Sequence, residues 1–169
     1  YELFCQESSL FPYPPIMFLI ECIGGGIARL AGDNLVLKNM FFKLPNLFFD
    51  CLGMFYLLRL FPEKRKYIAI LYFASPIILY STYMHGQLDI IPTVFLIGAL
   101  TNLTLPKQRN TTKYMCFLFA ALGSKLHIVA VVPILMIFIM KRDGWKQAII
   151  LSVIPFVLLV LCIIPFWGE

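Results

Sequence analysis

The sequence is poor in charge. Of its 169 residues only 14% are Asp, Glu, Lys or Arg, against roughly a quarter in an ordinary soluble domain. Meanwhile 60% are hydrophobic and 15% aromatic, and the mean hydropathy is +0.85. That balance excludes a soluble globular domain and leaves a polytopic membrane protein. It also lacks the apolar–polar alternation of a membrane β-barrel, so helices are the means by which the backbone satisfies itself in lipid. No Walker loop, G-x-G-x-x-G, H-E-x-x-H or nucleophile elbow is present, which removes the motif-defined nucleotide, zinc-protease and α/β-hydrolase classes. The five cysteines, Cys5, Cys22, Cys51, Cys116 and Cys162, have no metal-ligand spacing. Four fall in apolar runs and read as small hydrophobes rather than a disulfide framework. No basic n-region or cleavage site precedes the first apolar run, so no signal peptide is readable. With Tyr1 in first place, the chain is expected to be a piece of a longer protein.

What is present is a succession of apolar runs, at about 15–31, 44–61, 67–84, 90–106, 113–140 and 146–166. A helix needs about 20 residues to cross a hydrocarbon core about 30 Å thick, and runs of 17 or 18 can do so when flanking side chains snorkel. The fold class expected is all-α: a polytopic helical membrane protein with about six hydrophobic helices, two short and one lying along the outer surface. Residues 1–169 form one transmembrane domain, with 1–43 as an outer-face segment carrying a juxtamembrane helix and 44–169 as the transmembrane helices.

The direction follows from the cations. Arg59, Lys64, Arg65 and Lys66 form one cluster; Lys107, Arg109 and Lys113 a second; Lys141, Arg142 and Lys146 a third. Together they hold ten of the fourteen basic residues, so all three are expected on the cytoplasmic side, and the net charge of +5 reads as topology rather than as a nucleic-acid footprint. Between the second and third clusters lies 113–140. A single helix there would put the last cluster on the wrong side, whereas two short helices broken at Gly123-Ser124 put it on the same side. Short helices at membrane depth persist where their ends are buried in protein or line a wet cavity. Residues 1–43 then lie outside. There Glu21, three consecutive glycines and Arg29 interrupt "FPYPPIMFLIECIGGGIARL", which reads as a surface helix entered at Pro14-Pro15, the alternative being one extra crossing that would place Tyr1 inside. Asn102-Leu-Thr and Asn110-Thr-Thr are sequons on the predicted cytoplasmic side and are expected to carry no glycan.

This arrangement places "HGQLD" (85–89) and "GSKLH" (123–127) at the same outer or lumenal end. Ionisable groups at membrane depth are functional candidates because each costs about 2.5–3.5 kcal/mol at the centre. His85, Gln87 and Asp89 can solvate a turn at Gly86, or converge on a hydroxylated ligand, with Asp89 accepting and Gln87 both donating and accepting. Lys125 can snorkel to the interface, or present a point charge to a phosphate. His127 can bind the same anion or move a proton. Asp50 and Lys43 are read as structural polar residues, and Tyr13 with its two prolines as local geometry at the edge of the cavity.

The order of these features, "YPPIMFLIECIGG", "LKNMFFKLPNLFFDCLGMFYLLRLF", "SPIILYSTYMHGQLDIIPTVF" and "FLFAALGSKLHIVAVVPILM", resembles the amino-terminal half of GT-C superfamily glycosyltransferases. The likeness extends to polytopic mannosyltransferases and glucosyltransferases of glycan biosynthesis. It implies transfer of a hexose from a polyprenyl-phosphate donor (dolichyl phosphate in the endoplasmic reticulum) to a lipid-linked glycan or protein acceptor. The active face would be the outer face of a bacterial inner membrane or the lumenal face of the reticulum. It implies Lys125 near the donor phosphate and His85, Gln87 and Asp89 around the cavity; His127 beside Lys125 and Tyr13 at the cavity are added from the residues themselves. The catalytic carboxylate of such enzymes lies in a first outer loop upstream of Y-P-P. Glu2 and Glu7 match it in neither case, so no catalytic residue is assigned in this chain and the fragment alone is expected to be inactive. No cofactor is assigned, a divalent cation is left open, and nucleic acid is not an expected partner. Two other classes remain: a solute or lipid transporter with Asp50, His85, Asp89 and Lys125 as a relay, and a non-catalytic scaffold whose polar residues join helices.

Overall fold

The structure, a computed structural model, describes residues 14–84, 87–106 and 109–164, the side chain of Phe73 apart. Among the described residues every regular element is helical. Helix α1, Pro15–Ala28, starts where sequence chemistry places it: Pro14 is extended and Pro15 takes the first turn, where a missing N–H costs nothing. The glycines do not interrupt it as expected. The helix runs through Gly24, Gly25 and Gly26, because a Cβ on Gly24 would lie 2.9 Å from the Phe42 carbonyl oxygen. Close approach to the next helix holds the turn that low propensity would loosen. A short 3-10 turn, Arg29–Ala31, and Gly32 at φ +58° reverse the chain, and Asn34 caps α2, Leu35–Phe42, by accepting from the Val36 and Leu37 N–H groups.

The boundary expected between an outer segment and a first span at 43/44 is not a break. α2 continues through Lys43 into α3, Leu44–Leu60, as one helix of 26 residues, about 39 Å long. After a 3-10 turn at Pro62–Lys64, α4, Arg65–Phe73, leads to α5, Pro76–Ile78, which widens into a π-helical stretch over Leu79–Met84. The two halves of this run meet at 54°. Then follow α6, Ile90–Thr104, α7, Thr111–Ser124, a 3-10 stretch Leu126–Val131, α8, Val132–Asp143, and α9, Trp145–Ile163.

Among the described residues two helices, Leu35–Leu60 and Trp145–Ile163, can cross a membrane by length and composition, and the bent run 62–84 makes up to three. The other apolar runs form shorter helices; α6, with 15 residues, is about 22 Å long.

α6 and α7 make the most extensive helix pair. They run antiparallel: the Asn110 N–H donates to the Asn102 carbonyl at one end, and Lys125 meets Asp89 at the other. α3 lies along α6 in the same direction, with Phe49 edge-on to Phe95 and Gly53 against Val94. Phe117 of α7 packs against Tyr56 and Phe95, in the space left open by Gly98, where a Cβ would come within 2.9 Å of its ring. Small residues at helix crossings thus set the spacing, as expected where lipid supplies no hydrophobic drive.

The break expected in 113–140 is present. α7 ends at Ser124, whose hydroxyl donates back to the Ala120 carbonyl, a bond that competes with the helical ladder, and Lys125 is extended. Gly123 is pressed against Ile16 of α1, 2.6 Å from where a Cβ would stand. α8 then returns along the molecule, since the Asp143 carboxylate at its end pairs with Arg109 just before α7, at 2.7 Å. α9 packs on both α7 and α8 through a core of Leu118, Leu122, Ile139 and Leu151. The described cations of the three clusters therefore gather at one end of the molecule, and the two polar stretches approach at the other. The four described cysteines are free.

Candidate functional site

The polar end is built from two helix termini. Asp89 precedes the first turn of α6, where its carbonyl accepts from the Thr93 hydroxyl at 2.6 Å. Its carboxylate is left to point outward, doing no capping work. Lys125 stands at the opposite kind of terminus, the extended residue after α7, and its ammonium donates to Asp89 Oδ1. Side-chain exposures of 30% for Lys125 and 47% for Asp89 keep the pair accessible. Two of the residues singled out in sequence, 36 positions apart, are thus brought into direct contact.

His127, two residues on, is exposed in the 3-10 stretch. Gln87 is exposed, and its backbone N–H donates to the Ser81 carbonyl at 2.8 Å, closing the π-helical turn. His85 and Tyr13 lie outside the described residues, as do Glu2 and Glu7.

Asp50 and Lys43 meet at a residue that the sequence reading passed over. The Tyr83 hydroxyl donates to Asp50 Oδ2 at 2.6 Å, and the Lys43 ammonium donates to the Tyr83 carbonyl at 2.7 Å. Asp50 is 2% exposed, and Tyr72 adds its hydroxyl to the surroundings of the same carboxylate. The signal available was the spacing of hydroxyl-bearing residues in "YSTYMHGQLD", which marks a polar face but does not say which phenol finds the buried acid.

Among the described residues, cavities open at the other end. One of about 650 Å³ is lined by Arg109, Asn110, Thr111, Asp143 and Gln147. A second of about 390 Å³ is lined by Phe55, Leu58, Arg59, Pro62 and Arg65. The Asp89–Lys125 pair lines neither. Among the described residues no group of three or more His, Cys, Asp or Glu side chains could hold a metal ion. The sequons are accounted for by local structure: Asn102 donates its amide to the Gly98 carbonyl within α6, and Asn110 caps α7 by accepting from the Lys113 N–H.

Chemically, the polar end offers a cation and a carboxylate in contact and within reach of solvent. Such a pair can accept a phosphate oxygen on the ammonium and a hydroxyl proton on the carboxylate. No family model matches the chain, and no characterised protein or solved structure matches it either.

Proposed function

We propose that the chain is part of a polytopic membrane glycosyltransferase that moves a hexose from a polyprenyl-phosphate donor to a glycan or protein acceptor. The reaction would take place at the Asp89–Lys125 end, facing the outer or lumenal side. In this reading all six apolar runs lie within or against the bilayer, the short helices α6, α7 and α8 packing around the two long ones. The observation that supports it is the contact between Asp89 and Lys125, which joins the two stretches that the resemblance to GT-C enzymes assigns to one cavity. Lys125 holds the donor phosphate and stabilises its charge as it leaves. Asp89, Gln87 and His85 orient sugar and acceptor hydroxyls, and a carboxylate takes the acceptor proton in a single inverting displacement.

The test supplies polyprenyl-phosphate-linked mannose or glucose to the full-length protein in membranes. Transfer is expected, and Lys125→Ala is expected to lower it by roughly 100-fold or more while membrane insertion is unchanged. Turnover unaffected by that change rules out the assignment.

One observation favours a second reading. Lys125 is already neutralised by Asp89, as it would be in a scaffold whose polar residues hold helix ends together. In that case no lipid-linked sugar is turned over and Lys125→Ala lowers only stability.

A further inference from the structure

The cations of the basic end do not simply point into water. Asp143 Oδ2 accepts from Arg109 Nη2 at 2.7 Å and from Arg142 Nη2 at 3.3 Å. The two guanidiniums come from opposite ends of the α7–α8 hairpin, and one carboxylate holds them together. One negative charge against two positive ones leaves an excess of one. The convergence lies at the cavity of about 650 Å³ between the start of α7 and the start of α9, and Lys113 and Lys146 occupy the first turns of those helices. The rest of the lining, Asn110, Thr111 and Gln147, supplies amide and hydroxyl groups that donate and accept. Arginine is the side chain whose planar fork matches phosphate oxygens two at a time.

The same place is marked as a membrane interface. Trp145 opens α9 with 62% exposure, the behaviour of an aromatic side chain that sits at headgroup level. Next to it along α8 and α9, Phe138, Ile149 and Ile150 are exposed and offer apolar surface to acyl chains. Phosphate chemistry at headgroup depth, with hydrocarbon-facing surface beside it, fits a lipid better than a soluble anion.

We propose that the cavity beside the Arg109–Asp143 pair is a binding site for the phosphate headgroup of an anionic phospholipid. This site is separate from the Asp89–Lys125 end and does not depend on the transferase reading. Lipid phosphate docks on the Arg109 guanidinium in the cavity, Arg142 adding its charge from the other side of Asp143, and the polar lining takes the headgroup hydroxyls.

The experiment uses the full-length protein in nanodiscs of phosphatidylcholine alone or of phosphatidylcholine with phosphatidylglycerol as minor component, reading thermal unfolding and retained lipid. Phosphatidylglycerol is expected to stabilise the wild type and to be retained preferentially. Arg109→Gln with Arg142→Gln removes the general attraction of two cations, about fivefold each, and the headgroup contacts as well, so it loses more than roughly twenty-fivefold. Arg109→Lys with Arg142→Lys keeps the charge but not the fork, and is expected to fold and to lose most of the preference. The control pair Lys64→Gln with Lys66→Gln, at the same end but lining neither cavity, loses at most the general attraction of its two charges, roughly twenty-fivefold, and so less than the arginine pair. The proposal is overturned if the control pair loses as much as the arginine pair, if the lysine variant keeps the full preference, or if inorganic phosphate in phosphatidylcholine discs stabilises equally.

Discussion

The two ends of this molecule use the same residue types in opposite ways. At the basic end, cations are in excess and share their acid: Arg109 and Arg142 both lean on Asp143. Arg59 lies over the Phe55 ring and Lys146 over Trp145. At the other end Lys43 is given a carbonyl and Lys125 a carboxylate. The first arrangement is an electrostatic surface, tolerant of losing one member, because exposed pairs contribute little individually. The second includes the buried Asp50, 2% exposed, whose loss strands the Tyr83 hydroxyl that donates to it. Position in a membrane protein therefore tells less than pairing does about which charge matters.

The largest effect that would sharpen this contrast is at the acids. Asp50→Ala leaves the Tyr83 hydroxyl and the buried surroundings of that carboxylate without their acceptor, and is expected to cost about 1–3 kcal/mol. Asp143→Ala frees two arginines that are both in reach of solvent, and is expected to cost less than about 1 kcal/mol. Unfolding of the two variants in the same detergent, followed by circular dichroism, checks the order. Equal losses would erase the distinction between the ends.

How far that contrast was legible in sequence can be seen residue by residue. The reversal between α7 and α8 was readable because two basic clusters flank a run too long for one span and too short for two, with Gly123-Ser124 in its middle. That "HGQLD" and "GSKLH" share one end followed from that reversal, whereas the direct pairing of Asp89 with Lys125 did not. Three further features were not readable. Gly24 to Gly26 stay helical because of a carbonyl on a neighbouring helix, a tertiary fact that overrides propensity. The helix through Lys43 and Leu44 ignores an expected boundary because Pro45 in the first turn of α3 is compatible with continuing from α2. Tyr83 emerges as the link between Lys43 and Asp50 only because the chain widens into a π-helical stretch over Leu79–Met84, a register change that no 3.6-residue period foretells. Of the cavity residues, His85 and Tyr13 lie outside the described residues, so the ring expected around Asp89 is seen in part.

A smaller effect separates ligand binding from helix joining at the polar end. In a double-mutant cycle of Asp89→Asn and Lys125→Met, the pair is expected to couple by only about 0.2–1 kcal/mol in stability, because both side chains are partly solvated. Measured beside transfer, that weak coupling with a large loss of turnover in each single variant marks a ligand site. Strong coupling in stability with no turnover to lose would move this end into the scaffold reading and make it resemble Asp50 more than a binding surface.

The smallest effect concerns the acid of α1. Glu21 is half-buried, and burial pushes its carboxyl above the ordinary value of 4.5. A carboxyl whose folded value is raised holds its proton more tightly in the folded state than in the unfolded one. Its ionisation therefore weakens the fold as pH rises from the ordinary value through the raised one, and the penalty is fully present above that window. Glu21→Gln is accordingly expected to stabilise the protein slightly at neutral pH, and to flatten the decline in stability between mildly acidic and neutral pH. At a pH below the ordinary carboxylate value the two proteins should unfold together. Thermal unfolding across that range checks the sign. A variant less stable than wild type at neutral pH would mean that the Glu21 carboxylate is held by a cation, and the two ends would then treat their acids alike.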